Sequence, residues 1–114
     1  MKTASPKMIT AALLCAALLL SGCGQATLVA DTASGTKLEV YCFSAGKADA
    51  FLLYTEESAV LIDCGEKGFG KEILAYMEEA GIESLDYLII THFDKDHVGG
   101  AAKVINSTPV ETVL

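Results

Sequence analysis

The chain has 114 residues, with eight lysines, no arginine and fifteen acids, for a net charge of −7. That length holds one small domain at most. An acidic surface without arginine argues against a nucleic-acid groove built from this chain.

Residues 1–20 have the layout of an export signal, in which Lys2 and Lys7 precede an apolar run over residues 8–20. Thirteen residues are too few for a helix to cross a hydrocarbon layer of about 30 Å, and the alternative is a buried core helix. The junction Leu20-Ser21-Gly22-Cys23 resembles the lipobox of bacterial lipoproteins. By that resemblance residues 1–22 are a lipoprotein signal peptide and Cys23 is lipidated. The mature protein would then be extracytoplasmic and anchored to the bacterial membrane. From Cys23 onward 92 residues remain, with six lysines against fifteen acids and a net charge of −9.

Residues 23–36 are small and polar without sustained periodicity, and read as a flexible tether. Residues 37–43 (KLEVYCF) alternate as a strand does, with Leu38, Val40 and Cys42 on one face and Glu39, Tyr41 and Phe43 on the other. Residues 50–55 (AFLLYT) and 59–63 (AVLID) are two further strands, close enough in sequence for an antiparallel meander. The glycine-rich stretch 65–70 lacks the spacings of phosphate- and dinucleotide-binding loops and reads as a plain connection. Residues 71–80 (KEILAYMEEA) form an amphipathic helix, with Ile73, Leu74, Met77 and Ala80 along one side and Gly81 placed to close it. Residues 85–90 (LDYLII) make a strand expected to be buried on both faces. Residues 99–106 form a short helix, and another strand begins after Pro109.

Cys42 and Cys64 either pair as a disulfide or remain free thiols in apolar strands, and both readings stand. Neither suggests a thiol catalyst, because no histidine lies near either in sequence.

The chain's only histidines, His92 and His97, fall with Asp94 and Asp96 in THFDKDHVGG, residues 91–100. Imidazole and carboxylate are common ligands of zinc and other divalent ions. A loop leaving a strand turns neighbouring side chains toward one point, whereas a strand would splay them to opposite faces. Gly99 and Gly100 let the backbone pass close to its surroundings. The plain alternative is a solvated turn carrying two surface histidines.

THFDKDHVGG resembles the His-x-His-x-Asp-His signature of the metallo-β-lactamase fold superfamily, with Asp94 where the second histidine usually stands. The upstream stretch VYCFSAGKADAFLLYTEESAVLIDCG is similar to the opening of the extracellular hydrolase domains of ComEC-type competence proteins. The resemblance implies an α/β fold: the N-terminal half of a four-layer αβ/βα sandwich with a mixed, mainly antiparallel sheet, here residues 37–114. It also implies two divalent ions, zinc or manganese. His92 and Asp94 would hold the first, and Asp96 and His97 the second, or Asp96 would hold the attacking water if one ion binds. Asp63 would orient the loop from behind, and Gly46 and Asp49 would form a structural turn. Lys47 and Ser44 depart from the family's glutamine and aspartate in that turn.

The implied activity is hydrolysis by a metal-activated water, with a small-molecule, nucleotide or nucleic-acid phosphodiester as substrate and no protein partner in view. After His97 the sequence has no further histidine or aspartate. The expectation is therefore the first portion of a longer hydrolase, or else a truncated product. The alternative function is a non-catalytic lipoprotein with a residual metal-binding loop.

Overall fold

The computed structural model describes residues 26–31 and 35–114. The expected export signal and lipidated Cys23 lie outside the described residues. Among the described residues nine elements follow in order: β1 (Ala26–Asp31), β2 (Lys37–Cys42), β3 (Phe51–Tyr54), β4 (Ala59–Ile62), α1 (Gly70–Glu79), β5 (Leu85–Ile89), α2 (Lys95–Val98), α3 (Ala101–Ser107) and β6 (Val110–Val113).

The strands form one sheet in sequence order, β1 to β6. Short connections make β1 through β4 antiparallel. Parallel pairing needs a longer crossover, and α1 and α3 supply it between β4, β5 and β6. This is the mixed, mainly antiparallel α/β architecture expected, and one sheet with one helix layer makes up half of a four-layer sandwich.

One correction concerns the tether expected over residues 23–36. Residues 26–31 are strand β1, paired along its length with β2 from Ala26↔Cys42 to Asp31↔Lys37. Neighbouring-strand hydrogen bonds supply here what local periodicity does not.

At the β3–β4 turn, the Thr55 hydroxyl accepts the Glu57 and Ser58 amides at 3.2 and 3.1 Å. The Asp86 carboxylate on β5 then takes the Ala59 amide at 2.7 Å and the Ser58 hydroxyl at 2.8 Å, pinning the start of β4. Leu52, Leu61 and Leu88 stand in register across β3, β4 and β5, fully buried beneath Ile73 and Met77 of α1 and Val104 of α3. Each such side chain contributes about 1.5–3 kcal/mol by leaving water. On β2 the core side is the Tyr41 and Phe43 face, where Tyr41 stacks on Tyr76 of α1 at 3.6 Å between ring centres.

Gly81, with φ +73°, closes α1. Its amide donates to the Glu78 carbonyl, and the Ile82 amide to that of Met77 at 2.8 Å, the double bond pattern of a left-handed cap. β5 is not buried evenly on both faces: Leu88 is in the core beside Leu61, while on the opposite face Leu85 is buried at the start of the strand and Tyr87 is exposed. The expectation of burial on both faces fails at Tyr87 because both crossover helices pack on the other side of the sheet.

Candidate metal centre

β4 and β5 run parallel and end side by side, and the site is built where they end. The Asp63 amide donates to the Ile89 carbonyl at 2.8 Å, continuing the ladder one step past the strands. Asp63 then turns to φ +58°, the only positive value at a non-glycine among the described residues. That conformation costs a side-chain-bearing residue about 1–2 kcal/mol, aspartate being among the more tolerant. It aims the carboxylate, only 3 % exposed as a residue, at the start of the 91–100 loop.

Asp63 meets three donors there. Its Oδ1 accepts the Thr91 amide at 2.9 Å, and its Oδ2 accepts the Thr91 hydroxyl at 2.7 Å and lies 2.9 Å from His97 Nδ1. Burial by itself would raise the Asp63 pKa. The Thr91 hydroxyl, the His97 ring and the Thr91 amide outweigh it and hold the carboxyl below its usual range. His97 is shifted the other way: the hydrogen bond to Asp63 raises its pKa, burial opposes this, and the charges of Asp96, Asp63 and Asp49 add to the rise.

The loop is less irregular than expected. The Asp94 carbonyl accepts the His97 and Val98 amides at 2.9 and 3.0 Å, which winds residues 95–98 into the helical turn α2. That turn swings Asp96 and His97 back toward His92. The two imidazoles lie 3.7 Å apart between ring centres at a tilt of 46°. His92, Asp96 and His97 each offer a ligand atom within 4.8 Å of the others.

Two ligands of one tetrahedral ion at about 2.1 Å sit about 3.4 Å apart. His97 Nε2 and Asp96 Oδ2 are 3.7 Å apart. The donor set therefore fits a divalent cation, with imidazole and carboxylate ligands and small side-chain adjustments.

Asp94 lies at the edge of this group. Its side chain is 79 % exposed, and its Oδ2 is 3.5 Å from His92 Nε2. Asp49 belongs to the turn that includes Gly46, whose φ is +69°. Its amide donates to the Asp96 carbonyl at 3.4 Å, its carbonyl accepts the Gly65 amide at 3.0 Å, and its Oδ2 is 3.8 Å from His97 Nδ1. Phe93, between His92 and Asp94, is 86 % exposed and leaves an apolar ring beside the loop.

Two features of the site have roles that the sequence reading did not assign. One is Thr91, part of the motif in sequence, whose hydroxyl stands between a strand end and a candidate ligand. The other is the glycine-rich connection, which seats α2. The Cys64 amide donates to the His97 carbonyl at 2.7 Å and the Gly100 amide to that of Gly65 at 3.3 Å. A Cβ on Gly99 would lie 2.4 Å from the Lys67 nitrogen and the Lys95 oxygen, and one on Gly100 2.3 Å from the Cys64 oxygen. Cys64 is buried and Cys42 half-buried, and both are free thiols.

The model of the metallo-beta-lactamase superfamily matches residues 44–114, from the turn before β3 through β6. The chain belongs to the metallo-beta-lactamase superfamily. Among curated proteins it is similar to the anaerobic nitric oxide reductase flavorubredoxin of Aliivibrio salmonicida, with 33 % identity over 58 residues, 50 % of this chain and 12 % of that protein. The flavorubredoxins of Aliivibrio fischeri and Pectobacterium atrosepticum are 34 % and 33 % identical over the same length, 12 % and 11 % of those proteins. The match thus spans a small part of these superfamily relatives.

Proposed function

We propose that this chain carries the metal-binding loop of a metal-dependent hydrolase acting on phosphodiester substrates outside the cytoplasm, anchored through a lipid on Cys23. The observation that carries the hydrolytic reading is the convergence of His92, Asp96 and His97 in front of a buried carboxylate. The export signal, the lipobox-like junction and the ComEC-like order of the upstream strands support the location and the substrate class.

In this reading His92 and Asp94 hold one ion, and Asp96 and His97 a second. Bound divalent ions supply a water of lowered pKa and offset charge on the attacked phosphoryl group. The chain's own part is orientation. Asp63 engages His97 Nδ1, which leaves Nε2 facing the ligand group. With one ion bound, Asp96 would instead hold the attacking water through its carboxylate, whose Oδ2 lies 3.7 Å from His97 Nε2.

The test is hydrolysis of bis(p-nitrophenyl) phosphate by the full chain loaded with zinc or manganese, alongside His92→Ala and His97→Ala. Turnover lost in both variants supports the reading. Zinc binding without turnover would instead make the chain a binding module. Membrane release on Cys23→Ala checks the anchor.

A second reading follows from the relatives. They are nitric oxide reductases by name, and a carboxylate at position 94 favours harder ions such as iron or manganese over zinc. Consumption of nitric oxide by the iron-loaded, reduced chain, without phosphodiester hydrolysis, would favour it.

A further inference from the structure

The Thr91 hydroxyl touches two groups of the site at once. It lies 2.7 Å from Asp63 Oδ2 and 3.0 Å from His92 Nδ1. A hydroxyl has one proton to give and two lone pairs with which to accept. Asp63 already receives the Thr91 amide at Oδ1 and faces His97 Nδ1 at Oδ2, so it sits among donors and acts as an acceptor. If the Thr91 proton pointed at His92, a hydroxyl lone pair would face a carboxylate oxygen at 2.7 Å, two acceptors in contact. The proton therefore goes to Asp63. The contact at 3.0 Å is then a hydrogen bond only if His92 is the donor, through a proton on Nδ1.

From this arrangement we propose that Thr91 is a positioning residue that fixes His92 as the Nδ1–H tautomer, leaving Nε2 bare for a metal ion. Asp63 thereby sets both imidazoles, His97 by direct contact and His92 through one intervening hydroxyl. On the far side of the ring His92 Nε2 lies 3.5 Å from Asp94 Oδ2, too long for a good hydrogen bond, so this exposed carboxylate competes only weakly for a proton on Nε2. Free imidazole favours a proton on Nε2, so without this relay the nitrogen needed for coordination would mostly be blocked. Orienting groups of this kind change metal affinity about 10–100-fold.

This inference deepens the metal-site reading and rests on it for its purpose, but its primary test needs no metal. The full chain, with its histidines labelled with nitrogen-15, is examined metal-free by NMR at a pH where both rings are neutral. The nitrogen shifts report which ring nitrogen carries the proton. The expected result is Nδ1–H for His92 in the wild type and in Thr91→Ser, which keeps the hydroxyl. In Thr91→Val, close to threonine in shape, a shift toward Nε2–H is expected together with a 10–100-fold loss of zinc affinity. A wild-type His92 protonated on Nε2 overturns the proposal without any variant. So does a Thr91→Val chain that folds and keeps the Nδ1–H tautomer. If the tautomers behave as expected while wild type and Thr91→Ser bind no zinc, the relay stands and the metal-site reading fails.

Discussion

Replacing Asp63 by asparagine removes one charge while keeping the shape and backbone of the residue. Asparagine tolerates left-handed φ as aspartate does, so the +58° at this position adds little. The Thr91 amide keeps an acceptor at Oδ1. The amide group that replaces Oδ2 presents N–H to the Thr91 hydroxyl and the His97 ring, which both lie within 2.9 Å. The hydroxyl can turn to accept, but the ring must change tautomer or leave its proton unpaired. Hydrogen bonds to a charged group contribute about 1.5–3 kcal/mol each, and an orphaned buried donor costs about 1–3 kcal/mol. One bond lost and one weakened amount to about 2–4 kcal/mol. Urea titration of the metal-free chain at neutral pH should show a lower midpoint at unchanged slope. Asp63 is held below its usual pKa, so its contribution is present above the unfolded value of about 3.9 and is lost as pH falls through the folded value. The gap between wild type and variant should therefore close in acid. A gap below about 0.5 kcal/mol at neutral pH, within the range of ordinary surface substitutions, or one that persists unchanged in acid, would refute the assignment of Asp63 as the carboxylate that organises the loop.

Gly99→Ala places a methyl 2.4 Å from main-chain atoms of residues 67 and 95, and should cost about 1–3 kcal/mol or more by thermal unfolding while weakening zinc binding. Cys64 is buried with its thiol pushed up to about 12, by burial first and then by the Asp63 charge. Peptide mapping after iodoacetamide should find it unmodified in the folded chain and labelled in urea. His97 is held above its usual pKa by Asp63, so its stabilisation of the metal-free chain is full below about 6.5 and lost as pH rises through the folded value. Its stability profile should decline across that alkaline window, and the decline should be absent in His97→Gln. Asp94→His softens the site, and metal content after mixed zinc and manganese loading should shift toward zinc. Unchanged selectivity would place Asp94 outside the coordination sphere.

What the sequence made legible was local. The alternation in β2, β3 and β4 and the 3.6-residue stripe of α1 arise from neighbours along the chain. Their bounds shift in the structure by a residue or so, as with α1 at Gly70–Glu79 rather than 71–80. The cluster His92, Asp96 and His97 was legible because one loop supplies all of it. What was not legible depends on distant partners. β1 has little pattern of its own and is a strand because β2 offers it an edge. The packed side of β2 is set by Tyr76, 35 positions from Tyr41 and stacked on it. The helical turn at 95–98 depends on an Asp94 carbonyl turned back on the chain and on glycines that let residues 64–67 approach. The short helix expected over residues 99–106 is α3 at Ala101–Ser107, and the turn α2 before it was not expected.

The charges around His97 give the arrangement its direction. Asp63, Asp96 and Asp49 each place a carboxylate oxygen within 3.8 Å of one of its ring nitrogens, and Asp94 lies beside His92. Even a protonated His97 supplies one positive charge against three carboxylates. Two like charges about 4 Å apart at an effective dielectric of about 20 repel by roughly 4 kcal/mol, and solvent reduces this for the exposed members. The raised pKa of His97 is the chain's internal response to that excess. A divalent cation would answer it more fully. Because it binds the folded loop and not the unfolded chain, its binding would also stabilise the fold. The same carboxylates that make the metal-free loop bind protons more tightly are thus the ones that favour exchange of a proton for a metal ion. Metal affinity should accordingly fall with acidification from a higher pH than an isolated histidine pair would show.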